Sequence, residues 1–127
     1  MSFDWNEYYV LSRELAGLAT GASTPEARMR SAISRVYYVA FCKARDYLQQ
    51  TYPEEVLPPG TDIHYYVPRR FESSSDKMRR DIGEHLRVLR TYRNRADYEG
   101  VVRDLPTTTQ QALRRASSIL QQLSKLK

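Results

Sequence analysis

The chain has 127 residues and a mass of 14.8 kDa, the size of one domain with a single core. Hydrophobic residues make up 41% and aromatics 11%, which excludes a disordered chain. The 20 Lys and Arg outweigh the 15 Asp and Glu by five charges, a balance that permits a nucleic-acid partner without demanding one.

The first segment, from about Asp4 to Ala19, carries Tyr8, Leu11, Leu15 and Leu18 at three- and four-residue spacing, the pattern of one buried helix face. A break follows at Thr20-Gly21-Ala22-Ser23-Thr24-Pro25. Thr24 then reads as an N-cap and Pro25 as the first helical residue of a long second helix. Its stripe is Met29, Ile33, Val36, Tyr37, Ala40, Ala44, Tyr47 and Leu48, widened by Phe41. The clearest break is Tyr52 to Gly60, where Pro53, Pro58 and Pro59 exclude a continuous helix. Ile63 to about Phe71 reads as a short helix with Asp62 as its cap, though Pro68 falls inside it. Ser73-Ser74-Ser75-Asp76 is a capping run. The fourth helix spans about Asp76 to Tyr98, with Met78, Ile82, His85, Leu89, Tyr92 and Ala96 on its stripe, Leu86 and Arg93 at the edge, and Gly100 as its stop. A last helix begins near Thr107 and places Leu113, Ala116, Leu120 and Leu123 on one face. No strand pattern competes. The expected fold is all-α: an antiparallel up-down bundle of four long helices plus one short one, residues 1–127 forming one domain.

Several chemistries find no support. The single cysteine, Cys42, excludes a disulfide within the chain. His64 and His85 stand 21 residues apart with no metal-ligand spacing, and no glycines sit at phosphate-loop spacing, so neither a metal nor another cofactor is expected. No apolar run approaches the roughly 20 residues of a membrane span. Met1-Ser2-Phe3-Asp4-Trp5 lacks the basic and apolar regions of a secretory signal, so a soluble, cytoplasmic protein is expected. His85 on the fourth stripe reads as half-buried, His64 as a surface or capping residue, and Cys42 as a small buried hydrophobe.

The charge is concentrated. From Arg69 to Arg103 there are ten basic and six acidic residues, 10 − 6 = +4, nearly the whole net charge. Arginine dominates, which favours bidentate phosphate contacts. Tyr65, Tyr66, Tyr92 and Tyr98 are interleaved, and such rings stack on unpaired bases. The alternative is a solvated face with internal pairs such as Arg80–Glu84 and Arg93–Asp97. At the end of this helix Asn94 and Tyr98 are four apart and share a face pointing away from the core. With Arg93 they could hold a phosphodiester.

Two stretches resemble the HEPN family of small helical domains. Arg30-Ser31-Ala32-Ile33-Ser34-Arg35-Val36-Tyr37-Tyr38-Val39-Ala40-Phe41 is similar to the family's Ser-Arg-x-Tyr-Tyr-x-x-Phe signature. Leu89-Arg90-Thr91-Tyr92-Arg93-Asn94-Arg95-Ala96-Asp97-Tyr98 is similar to its Leu-x-x-x-Arg-x-x-Ala-Asp-Tyr helix ending. His64 and Phe71 also fit the pattern before that helix. The resemblance implies an up-down bundle that dimerises. It also implies a metal-independent endoribonuclease of the toxin type, paired with a nucleotidyltransferase-type antitoxin or used in defence. The family's Arg-polar-x-x-x-His motif maps onto Arg93, Asn94 and, in place of the histidine, Tyr98. A neutral imidazole accepts a ribose proton near pH 7, whereas a phenol with a pKa of about 10 is a poor base. Arg93, Asn94 and Tyr98 are therefore the candidate catalytic residues, and Arg35, Arg90 and Arg95 the candidate RNA contacts. Arg35 and Tyr38 lie opposite the core stripe, near the cleft or packed on a neighbouring helix. Two functions follow: an RNA-acting protein, catalytic or a degenerate RNA-binding relative, or a non-catalytic homodimer that binds a nucleotidyltransferase-type partner.

Overall fold

The computed structural model describes residues 3–4, 6–18 and 21–126. Five α-helices fold together: α1 (Asn6–Leu15), α2 (Pro25–Thr51), α3 (Ile63–Glu72), α4 (Lys77–Tyr98) and α5 (Leu105–Lys125). Among the described residues there is no strand, and no helix is long and apolar enough to cross a membrane. The all-α bundle is as expected. The lengths divide differently: α2, α4 and α5 have 27, 22 and 21 residues, and α1 and α3 ten each.

The caps explain most boundaries. Thr24 accepts from the Ala27 N–H at 3.2 Å with Pro25 in the first turn, and Asp76 accepts from the Arg79 N–H at 3.1 Å, as the sequence predicts. Asp62 makes no such bond to α3; a 3-10 turn at Gly60–Asp62 leads into it instead. The α1 helix stops early because Gly17 adopts φ 76° while Leu18 N–H bonds to Arg13 O and Gly17 N–H to Glu14 O, a Schellman ending. Leu11 is buried, but Leu15 and Leu18 are exposed, so the expected first face ends at Leu11. The Tyr8 side chain and Ala19 lie outside the described residues.

The long α4 runs antiparallel to its neighbours. On α5, Gln111 meets Tyr92 and Arg115 meets His85; on α3, Tyr65 meets Arg90 and Glu72 meets Arg87; on α2, Arg30 meets Ala96 and Tyr47 meets Arg79. His64 packs on Phe41, and Phe71 near Tyr47, so α3 runs in the same direction as α2. Two consecutive helices in one direction need a long return, and residues 52–62 provide it. Glu55 ties that return to α3, accepting from Arg70 at 2.9 Å and from Tyr66 at 3.0 Å.

The core is built from Ile33, Tyr37, Ala40, Phe41, Ala44 and Leu48 on α2, Val67 and Phe71 on α3, Ile82, Leu86, Leu89 and Ala96 on α4, and Ala112, Ala116 and Ile119 on α5. Two stripes are rotated from their predicted positions. On α4, Leu86 is central and His85 and Tyr92 form the flank toward α5, which places Arg93 inside the stripe, not at its edge. On α5, which starts at Leu105, the buried face is Leu105, Thr108, Ala112, Ala116 and Ile119. Leu113 and Leu120 lie about 80–100° around the wheel from Ala112 and are exposed.

The α3–α4 contact is tight at Gly83. A Cβ at Gly83 would lie 2.6 Å from the Pro68 carbonyl oxygen and 2.7 Å from the Glu72 amide nitrogen. Only glycine admits this approach. Pro68 does not break α3, although it cannot bond to the His64 carbonyl four residues back.

Candidate functional site

The C-terminal half of α4 carries two arginines on its packed side, and their surroundings differ from those of an ordinary solvated face. Arg93 is 7% exposed. Its guanidinium carbon lies 4.8 Å from the centre of the Tyr37 ring and 5.5 Å from that of Tyr38, and Nη1 pairs with Asp97 Oδ2 at 3.7 Å. One turn earlier, the Arg90 guanidinium lies 3.8 Å over the Tyr65 ring of α3. The Nε atoms of both arginines are buried and have no hydrogen-bond partner among the described residues. Such orphans are uncommon, because a buried donor without an acceptor costs about 1–3 kcal/mol.

His64 stands beside them. Its ring stacks on Phe41 at 4.3 Å, and Nδ1 is 2.6 Å from Tyr37 Oη. Burial, and then the charges of Arg93 and Arg90, hold its pKa below the usual histidine value. The imidazole is therefore neutral near pH 7. Burial pushes the Tyr37 phenol up to about 12, so it keeps its proton. A phenol can accept a bond from Nδ1–H, and in that tautomer Nε2 carries the free lone pair. His64 is thus half-buried, packed among Tyr37, Tyr38 and Phe41.

His64, Tyr65, Arg69, Arg87, Arg90 and Asn94 line a cleft of about 360 Å3 between α3 and α4. The structure brings Arg90 and Asn94 together there. Arg93 lies behind them, buried against Tyr37. Tyr98 is 72% exposed, one turn beyond Asn94, and Arg35 and Arg95 are exposed on the outer faces of α2 and α4. Arg35 bonds to Ser31 at 3.2 Å, a local contact on its own helix. Of the two expected ion pairs, Arg93–Asp97 forms, while Arg80 bonds to the carbonyls of Ser74 and Ser75 instead of Glu84. Among the described residues, no three His, Cys, Asp or Glu side chains gather as a metal site would require.

Two residues were not legible as functional. His64 joins the site only because α3 docks on α2 and α4. Arg30 belongs to a quoted motif but carries no sign of its role. It is fully buried, and its guanidinium donates to the carbonyls of Ala96, Glu99 and Gly100 at 3.0, 2.6 and 3.1 Å and to Glu26 at 3.0 Å. It lies 4.3 Å over the Phe3 ring. Arg30 thus satisfies the carbonyls that the end of α4 leaves open and fixes the helix that bears Arg90, Arg93 and Asn94.

No family model and no solved structure matches the chain. It is 34% identical over 97 residues to an uncharacterized protein of Methanocaldococcus jannaschii, MJ0992, an alignment covering 65% of this chain and 54% of that protein. The chain therefore spans about half the length of this relative.

Proposed function

We propose that this chain is an RNA-acting protein of the HEPN type, a metal-independent endoribonuclease whose general base is His64 on α3. The observation that carries the reading is the pairing of a neutral, oriented histidine with Arg90, which lines the same cleft and whose buried Nε has no acceptor among the described residues. A phosphodiester supplies both needs: an oxygen for Arg90 and a ribose hydroxyl for the imidazole.

In the reaction the ribose 2′-oxygen attacks the adjacent phosphorus. The O2′–P bond forms and the P–O5′ bond breaks. His64 Nε2 takes the 2′-hydroxyl proton and later returns it to solvent, while the leaving 5′-oxygen takes a proton from water. The products are a 2′,3′-cyclic phosphate and a 5′-hydroxyl end. Arg90 and Asn94 donate to the non-bridging oxygens, where charge grows in the transition state. Arg93 acts through Tyr37, holding the phenol that orients His64. Tyr98 is not needed as a base.

The test is cleavage of labelled RNA with EDTA present. Wild type should cleave, and His64→Gln should lose about 100-fold or more, the usual contribution of a general base. Arg90→Ala should lose activity with the fold intact, and Tyr98→Phe should keep it. Full activity in His64→Gln would end this assignment. A second reading, a non-catalytic homodimer that binds a nucleotidyltransferase-type partner, draws on Tyr38 and Tyr98, large rings 43% and 72% exposed on the faces of α2 and α4. Folded, dimeric wild type with no cleavage would favour it.

A further inference from the structure

A second cavity adjoins the cleft. It is a groove of about 640 Å3 lined by Pro58, Asp62, Tyr65, Tyr66, Arg69 and Arg70 along the outer side of α3. Tyr65 and Arg69 line both cavities, so the two lie side by side and share a wall. Tyr65 is 59% exposed, with the Arg90 guanidinium 3.8 Å over its ring. One face of the ring is covered, and the exposed remainder leaves the opposite face for a flat partner. The two basic side chains differ. Arg70 is committed to Glu55 and lies 4.4 Å over Tyr52, whereas Arg69 is exposed and has no acceptor among the described residues. Asp62 adds an exposed carboxylate at the groove wall. A phosphate there would face Asp62 unneutralised, whereas in the cleft Glu72 is paired with Arg87 at 3.3 Å and Arg90 has no carboxylate partner among the described residues. The groove thus suits an uncharged aromatic ring and the cleft suits the anion.

We propose that this groove is a base subsite: it takes an unpaired nucleobase next to the scissile phosphate, stacked on the open face of Tyr65, with Arg69 bridging to the following phosphate. The proposal rests on the reading of the cleft as an RNA site and adds its substrate class, single-stranded RNA. A duplex cannot offer a base to the ring without unpairing it. Because Tyr65 and Arg90 are already stacked, the platform is preformed.

The experiment measures binding of a short, fully 2′-O-methylated RNA, which cannot be cleaved, carrying one 2-aminopurine whose fluorescence falls on stacking. Wild type should quench the probe and prefer the single strand to its duplex. Tyr65→Leu, at an exposed position that leaves the fold intact, should abolish quenching and weaken affinity about tenfold or more. Arg69→Gln should weaken binding and flatten its salt dependence while keeping the quench. Cleavage of the unmodified RNA, with the methylated probe bound but unquenched at every probe position or bound equally well as a duplex, overturns the base subsite and leaves the cleft reading standing. Neither binding nor cleavage by folded wild type overturns both.

Discussion

The molecule buries two arginines on the same pair of helices, and they are opposites. Arg30, on α2, is fully enclosed, with three carbonyl acceptors, a carboxylate and an aromatic ring around its guanidinium. Arg93, on α4, is 7% exposed, has a single ion pair at 3.7 Å and keeps a buried Nε with no acceptor. Burying a charge is costly unless its hydrogen bonds are made. The first arginine meets that condition inside the protein, and its role is to hold the end of α4. The second does not: it stands behind the cleft against Tyr37 with a donor left unmet among the described residues. The polar surroundings, not the burial, separate an arginine that locks the fold from one that keeps a donor to spare.

The largest effect should come from exchanging each for a hydrophobe of similar length. Arg30→Met strands three carbonyls and Glu26 and should cost about 3–5 kcal/mol, enough to prevent folding in a small domain. Arg93→Met frees Asp97 and gives up the contacts with Tyr37 and Tyr38, but it also removes an unmet buried donor, so the loss should be smaller, about 1–2 kcal/mol. Thermal melts of the two variants measure the difference. Equal losses would erase the distinction.

The close α3–α4 contact sharpens the comparison from the cleft side. Gly83→Ala forces a Cβ to within 2.6 Å of the Pro68 carbonyl, a backbone atom that cannot swing away. A loss of about 1–3 kcal/mol is expected. It should act on the cleft and spare the Arg30 clamp. The check is the His64 titration followed by NMR: as α3 lifts from α4, its pKa should rise toward the ordinary value while the melt falls.

The pattern of apolar residues made most of the scaffold readable, and the misses have physical causes. Thr24 and Asp76 cap helices through local bonds, which sequence spacing records. On α2 the stripe through Ile33, Tyr37, Ala40, Ala44 and Leu48 is the only broad apolar face, so it had one orientation to take. On α5, Leu113 and Leu120 continue the apolar arc beyond Ala116, and Thr108 occupies a core position. A wheel cannot tell which edge of a wide arc is buried when neighbours decide it. Arg30 and Arg93 defeat the same logic, since a charged residue at a core position looks like a gap in the stripe. The carbonyls that hold Arg30, and the approach of His64 to Tyr37, lie 27 or more residues away in sequence and on another element. Arg93–Asp97, at four residues, was visible for the opposite reason.

Acid should weaken the fold through both histidines, one of them at the cleft. His64 and His85 both have pKa values below the ordinary 6.5, chiefly through burial. Below 6.5 the unfolded chain takes up protons that the folded chain refuses. Stability therefore rises with pH through the window between the folded value and 6.5, and is lost as pH falls through it. Chemical denaturation at pH values across that window should show this slope, and His64→Gln should reduce it while leaving the share of His85. An unchanged slope would mean that His64 is not held neutral by its surroundings.

The smallest effect belongs to Asp97, and it tests how much of the cleft's charge is deliberately left unneutralised. Its carboxylate accepts from Ser34 Oγ at 3.3 Å and pairs with Arg93. Even so, burial outweighs these partners and holds its pKa above the usual 3.8. A raised value means that the folded chain binds the proton more readily, so this group's contribution declines as pH rises through the window above 3.8. Asp97→Asn removes that term and keeps the Ser34 contact. At neutral pH the melt should move by no more than about 0.5 kcal/mol in either direction. The acid-side profile should lose the component in which stability declines with rising pH. Losing the aspartate also leaves Arg93 without its countercharge, which should lower the His64 pKa further and tighten RNA binding. A large destabilisation would instead place Arg93–Asp97 with the Arg30 clamp, as a pair whose work is the fold.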